Sequence, residues 1–163
     1  MTDCRNSKMH NSDCDPYLSL SQVYQVNNQP LQCYTDGASR GNPGPSAYAC
    51  ILVGSNGEIL SEHGGYLGWG TNNSAEYHAI IYALKEAARF TKGRVAVFSD
   101  SELVVRQING IYRIRKEHLS RLFKQVSTCV RVFEDVEFVH VVREHPFIQR
   151  ADALCNHILD QQM

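Results

Sequence analysis

The chain has 163 residues, 43% of them apolar, and a formal net charge of −1. That length and apolar share suffice for one domain around one core, and the near-neutral balance excludes a molecule that captures polyanions through its overall field. No apolar run approaches the roughly 20 residues that cross a bilayer, and the polar amino terminus has neither a secretory nor a transit pattern, so a cytoplasmic or nucleoid location without membrane attachment is expected.

Residues 1–30 are rich in Asn, Ser, Asp and Gln, lack apolar periodicity and end at Pro30. They read as a polar tail ahead of a domain over 31–163. Short apolar runs predict strands over 31–35, 47–53 and 58–66, the last two joined by a Ser55-Asn56-Gly57 hairpin turn. Tyr77, Ile80, Ile81, Leu84 and Ala88 recur at helical spacing and predict a helix over 73–90. A strand buried on both faces follows at 95–98, then helices over 102–108 and 117–132, a fifth strand over 136–141 and a closing helix over 149–159. A three-stranded ribbon followed by helix, strand, helices, strand and helix implies an α/β domain, a mixed five-stranded sheet flanked by helices.

Six cysteines, at 4, 14, 33, 50, 129 and 155, are scattered and read as reduced thiols. Cys4, His10 and Cys14 lack the fourth ligand of a structural zinc site. Positive charge concentrates between Arg106 and Lys124, where Arg106, Arg113, Arg115, Lys116, Arg121 and Lys124 face the single acid Glu117. That segment is either a phosphate-binding surface or a solvated helix face.

Asp36, Glu76, Asp100 and Asp152 each stand at the edge of a predicted element. Each has an ordinary explanation alone: an Asp-Gly turn, a capping box with Asn73, a helix cap, and a boundary carboxylate. Together they form a candidate metal cluster, because the first and fourth strands are expected side by side and both helix-borne acids aim at the same point. Crowded carboxylates repel and hold protons, a cost that divalent cations remove. Oxygen donors suit Mg²⁺ or Mn²⁺, and two such ions about 3.5–4 Å apart are common machinery for cutting phosphodiesters.

The stretches Tyr34-Thr35-Asp36-Gly37-Ala38-Ser39-Arg40-Gly41-Asn42-Pro43-Gly44-Pro45, Thr71-Asn72-Asn73-Ser74-Ala75-Glu76, Ser99-Asp100-Ser101-Glu102 and Ala151-Asp152-Ala153-Leu154-Cys155-Asn156 closely resemble type 1 ribonuclease H, over about residues 31–160. The resemblance implies the ribonuclease H-like fold and a metal-dependent endonuclease that hydrolyses the RNA strand of RNA/DNA hybrids, leaving 5′-phosphate and 3′-hydroxyl ends. It implies that Asp36, Glu76, Asp100 and Asp152 bind two Mg²⁺ ions, with Mn²⁺ as a substitute. Asn42, Asn72 and Asn73 are then expected at the hybrid minor groove, and Thr71 near a DNA phosphate. Short amides of this kind can reach the 2′-hydroxyls that distinguish RNA.

In such proteins the loop before the last helix supplies a proton carrier. Here His145 is the candidate, with Arg143 as an alternative that helps expel product phosphate. The space between Gln107 and Glu117 excludes the extra helix and basic handle of some relatives, so Arg113, Arg115 and Lys116 are expected to hold the hybrid. Trp69 stands where some relatives carry a basic residue of a phosphate pocket, and is expected to be a packing residue, with stacking on a sugar as the alternative. Double-stranded RNA is a further candidate substrate, and no obligate protein partner is implied. The rival readings are a DNA-processing nuclease of the same fold, opposed by the Gly-Asn-Pro-Gly-Pro loop, and a silent hybrid-binding module, opposed by the full carboxylate set.

Overall fold

Leu31–Ser39 (β1), Gly44–Val53 (β2) and Ile59–Gly70 (β3) form an antiparallel meander in the computed structural model, which describes residues 29–162. Arg94–Ser99 (β4) adds parallel to β1 and Asp135–His140 (β5) parallel to β4, giving the order β3-β2-β1-β4-β5. The helices are Asn72–Ala87 (α1), Glu102–Ile108 (α2), Glu117–Val130 (α3) and Pro146–Asp160 (α4). This is the expected mixed five-stranded sheet. Residues 1–28 of the polar tail, with the Cys4, His10 and Cys14 set, fall outside the described residues; Cys33, Cys50, Cys129 and Cys155 are free thiols. No helix among the described residues is long and apolar enough to cross a membrane.

Alternation along the strands divides the core between two faces. Cys33, Cys50 and Leu52 pack with Tyr77, Ile80, Ile81 and Leu84 of α1 and with Leu119, Leu122 and Val126 of α3. On the opposite face Tyr34, Ala49, Ile51 and Val53 meet Ile148, Ala151 and Cys155 of α4. β1 and β2 are therefore covered twice, which is why they read as continuous apolar runs. Each fully buried Leu, Ile or Val in these layers contributes about 1.5–3 kcal/mol. Within the core, the Tyr77 hydroxyl donates to Gln107 Oε1 at 2.8 Å and ties α1 to α2.

Several boundaries differ from expectation. β1 runs on to Ser39, because Asp36-Gly37 is no turn: Asp36 pairs with Ala49 and Gly37 with Tyr48. β3 runs on to Gly70, since Gly64 and Gly65 are places of close approach where a Cβ would meet Ile158 and the Tyr48 ring. α4 begins at Pro146, where a missing N–H costs nothing at the first helical position, instead of near Gln149. Trp69 is not packed away as expected, being 74% exposed.

Candidate active site and nucleic-acid interface

The last β1–β4 pair is Thr35 with Ser99, so Asp36 and Asp100 follow one step beyond it on neighbouring strands. Thr35 is fully buried and its hydroxyl donates to the Phe98 carbonyl at 3.1 Å, fixing that register. Gly37 lets α1 press onto β1, since a Cβ there would lie 2.2 Å from the Ala75 carbonyl carbon. This close approach brings Glu76 against Asp36. The cap of α1 is not the expected Asn73–Glu76 box: Thr71 Oγ1 accepts from the Ser74 N–H and Ser74 Oγ accepts from the Thr71 N–H. Glu76 is thereby released from capping, and Asp100 likewise, because Ser101 caps α2.

Oxygen atoms of Asp36, Glu76 and Asp100 lie within 4.8 Å of one another. Asp152, on the second turn of α4 rather than at its start, lines the same pocket with Arg143, Asn72, Ser39 and Asn156. The pocket holds about 390 Å³ and its wall is mostly polar. Burial, then Asp100, then Asp152 push the Asp36 carboxyl up to about 8, while a Cys155 thiol hydrogen bond and Arg143 pull the other way. Burial, then Asp36 and Asp100, also raise Glu76, against hydrogen bonds from the Gly37 backbone and Ser99. Asp100 is raised by burial and held back chiefly by Arg143.

Asp36 Oδ2 is buried without a hydrogen-bond partner. A lone carboxylate oxygen facing two further carboxylates is unfavourable without a cation. An all-oxygen set of this kind fits a hard divalent ion of the Mg²⁺ or Mn²⁺ type.

Beside the pocket, Asn42 Oδ1 accepts from the Asn72 N–H at 3.1 Å, and Asn72 Oδ1 accepts from the Ser39 N–H at 2.9 Å. These bonds join the Ser39–Gly44 loop to the start of α1, where Thr71 is the cap. Arg40 joins the loop to α4 through the Asn156 carbonyl and the Asp160 carboxylate. Asn73 lies round the corner in a groove of about 450 Å³ with Leu103, Tyr112, Arg113, Arg115 and Lys116.

The basic segment is smaller in effect than its sequence suggests, because Arg106 pairs with Glu102 and Arg121 with Glu117. No carboxylate among the described residues forms a salt bridge with Arg113, Arg115 or Lys116. His145 stands outside the carboxylate pocket, stacked on Tyr34 at 4.7 Å, and its Nδ1 accepts from the Phe147 N–H as the cap of α4.

Sequence reasoning passed over Asn156, whose Nδ2 donates to Asp152 Oδ2 at 3.4 Å, and His140, close enough to Asp100 to lower its pKa. One signal for Asn156 was available: four residues after Asp152 on a helix lies on the same face.

Residues 34–158 match the family model described as reverse transcriptase-like. The structure of RNase H1 from the halophilic archaeon Halobacterium salinarum superposes with a TM-score of 0.77 at 40% identity, over 82% of this chain and 99% of that one. The chain belongs to the ribonuclease H-like family. LC11-RNase H1, solved in complex with an RNA/DNA hybrid, is 36% identical with a TM-score of 0.76, over 81% of this chain and 98% of that chain. The ribonuclease HI of Halobacterium salinarum is 41% identical over 130 residues, 80% of this chain. The chain spans 64% of that curated relative's length. With the family in hand, the carboxylate pocket and the adjoining Asn-rich loops are the features to which a function attaches.

Proposed function

We propose that this chain is a ribonuclease H: it cuts the RNA strand of an RNA/DNA hybrid with two divalent ions, Mg²⁺ or in substitution Mn²⁺, leaving 5′-phosphate and 3′-hydroxyl ends. The observation that carries this reading is the set of crowded carboxylates around an unpartnered, buried Asp36 oxygen. Asp36, Glu76 and Asp100, with Asp152 at the rim, would hold the ions, which supply charge for the scissile phosphate and ease deprotonation of the attacking water.

The protein's own groups do the rest. Arg143 at the pocket mouth attracts the phosphate and lowers the proton affinity of Asp36 and Asp100. Asn42, Asn72 and Asn73 lie at the surface where short amides can read 2′-hydroxyls, and Thr71 sits at a helix amino terminus suited to a phosphate. Arg113, Arg115 and Lys116 offer cations to the second strand. With Nδ1 engaged in the α4 cap, His145 has Nε2 left to exchange protons, and Arg143 is the group nearer the reacting phosphate.

A cleavage panel tests the proposal: labelled RNA/DNA hybrid, double-stranded RNA and double-stranded DNA, each with and without Mg²⁺. Metal-dependent cutting of the hybrid's RNA strand is expected. Cutting of DNA duplex in preference to hybrid would replace the reading with a DNA-processing nuclease, and binding of hybrid without cutting would replace it with a recognition module. Double-stranded RNA is a candidate second substrate, because its minor groove carries the same 2′-hydroxyls.

A further inference from the structure

The Ser39–Gly44 loop is stiff within itself. The Arg40 N–H donates to the Pro45 carbonyl at 2.8 Å and the Ser39 hydroxyl to the Gly41 carbonyl at 2.6 Å, while a Cβ on Gly44 would lie 2.1 Å from the Arg40 carbonyl oxygen. A turn so closed moves as one body, and what it is tied to decides where Asn42 stands. One tie runs to the start of α1, through Asn72 and its bonds with Ser39 and Asn42. Another runs to the last turn of α4, where Arg40 Nη2 donates to the Asn156 carbonyl at 3.3 Å and to the Asp160 carboxylate.

The tie to α4 differs from a chance surface pair. Asp160 ends α4, a place where the helix dipole disfavours an acid and favours a cation. Arg40 supplies that cation, and its planar guanidinium serves a main-chain carbonyl and a carboxylate together. Asn156, whose carbonyl it holds, also donates through its side chain to Asp152. Ser39, Asn72, Asn156 and Asp152 line one pocket with the other carboxylates, so a strand cut there passes the wall that both ties hold.

We propose that Arg40 is a positioning residue that fixes the spacing between the ribose-reading loop and the carboxylate pocket, and so selects which phosphodiester is cut relative to the ribose that is read. This rests on the hybrid-cleaving function proposed above. With the loop tied to both helices, a 2′-hydroxyl held at Asn42 and a phosphate held at the carboxylates stand a fixed number of nucleotides apart. Without Arg40 the loop keeps its tie to α1 and pivots on it, and neighbouring phosphates compete for the pocket. A displacement of about 1 Å suffices to redistribute rates among them. An exposed ion pair contributes little stability, so the loss shows in the register of cutting and not in the fold.

The test uses the full-length chain and a labelled strand in which a short run of ribonucleotides is set among deoxyribonucleotides and annealed to DNA, cut in Mg²⁺ under single-turnover conditions. Wild type is expected to favour one bond of the run. In Arg40→Ala the ratio of cutting at that bond to cutting at its neighbours should fall about tenfold, with Tm nearly unchanged. Asp160→Asn, made at a side chain 63% exposed, should shift the ratio the same way by less, and Arg40→Asp combined with Asp160→Arg should restore part of it.

An unchanged ratio in Arg40→Ala, or even cutting along the run by wild type, overturns the proposal while sparing the proposed function. Weaker hybrid binding in Arg40→Ala and tighter binding in Asp160→Asn, with the ratio kept in both, makes Arg40 a phosphate contact and overturns it as well. Should Arg40→Ala fail to fold, the ratio in Asp160→Asn decides. Failure of wild type to cut any hybrid overturns the functional reading, and the spacing role with it.

Discussion

Asp36→Asn is expected to stabilise the metal-free protein at neutral pH and to flatten its pH dependence. The Asp36 carboxyl moves from an ordinary 3.8 to about 8, with burial the largest cause. At about 1.4 kcal/mol per unit of pKa, ionising it in the folded, metal-free pocket costs on the order of 6 kcal/mol, about 4 kcal/mol of which is already lost from stability at pH 7. The sign follows from the raised folded value: the favourable contribution is complete below pH 3.8 and disappears as pH rises through about 8.

Glu76 and Asp100 are raised as well and share the protons of the cluster, so neutralising one member recovers part of the loss. About 2 kcal/mol is expected, or roughly 4–8 °C in Tm. Thermal melts in EDTA between pH 5 and 8.5 measure it: wild-type Tm should fall across this range and the Asp36→Asn variant should fall less. Added Mg²⁺ should stabilise wild type increasingly with pH and leave the variant nearly unchanged. A variant less stable than wild type at pH 8 in EDTA, or one with the same pH slope, refutes the electrostatic account of the site.

Reversing Arg113, Arg115 and Lys116 to Glu is expected to weaken hybrid binding and lower the slope of log K against log salt by about 2–3; an unchanged slope identifies a solvated face. Asn156→Ala removes the donor to Asp152 and should raise the Mg²⁺ concentration for half-maximal cleavage about tenfold. Its hybrid affinity should not change, and a loss confined to that affinity would move Asn156 from the carboxylates to the substrate. Deleting residues 1–29, ahead of the first strand, should leave folding and cleavage intact. A truncated chain that fails to fold, or zinc recovered with the full-length protein, would overturn the reading of that segment as a polar tail.

The carboxylates were legible because each sits in a local motif, and the sheet because β1, β2 and β4 are apolar enough to require cover on both faces. What escaped depended on partners distant in sequence. Asp36-Gly37 looks like a turn until Ala75 of α1 is seen against Gly37, a contact that only the assembled sheet creates. The cap of α1 went to Thr71 and Ser74 because a hydroxyl reciprocal pair satisfied the same two N–H groups that a box ending in Glu76 would have. Pro146 was read as loop although a proline also opens helices. Trp69 was expected to pack, whereas a bulge on the edge strand β3 decides its direction. Pairing of Arg106 and Arg121 with acids one helical turn away trimmed the basic segment to its groove-lining members.

The contact between the Cys155 thiol and the Asp36 carbonyl joins residues 119 positions apart, and every carboxylate of the pocket comes from a different element. During synthesis β1, α1 and β4 emerge before α4, so Asp36, Glu76 and Asp100 can gather while Asp152 is still absent. A nascent or partly unfolded chain is thus expected to be inert, and its cutting activity to switch on only when α4 docks against the sheet. The carboxylate set is complete only once α4 has docked, so assembly of the pocket becomes a late checkpoint of folding.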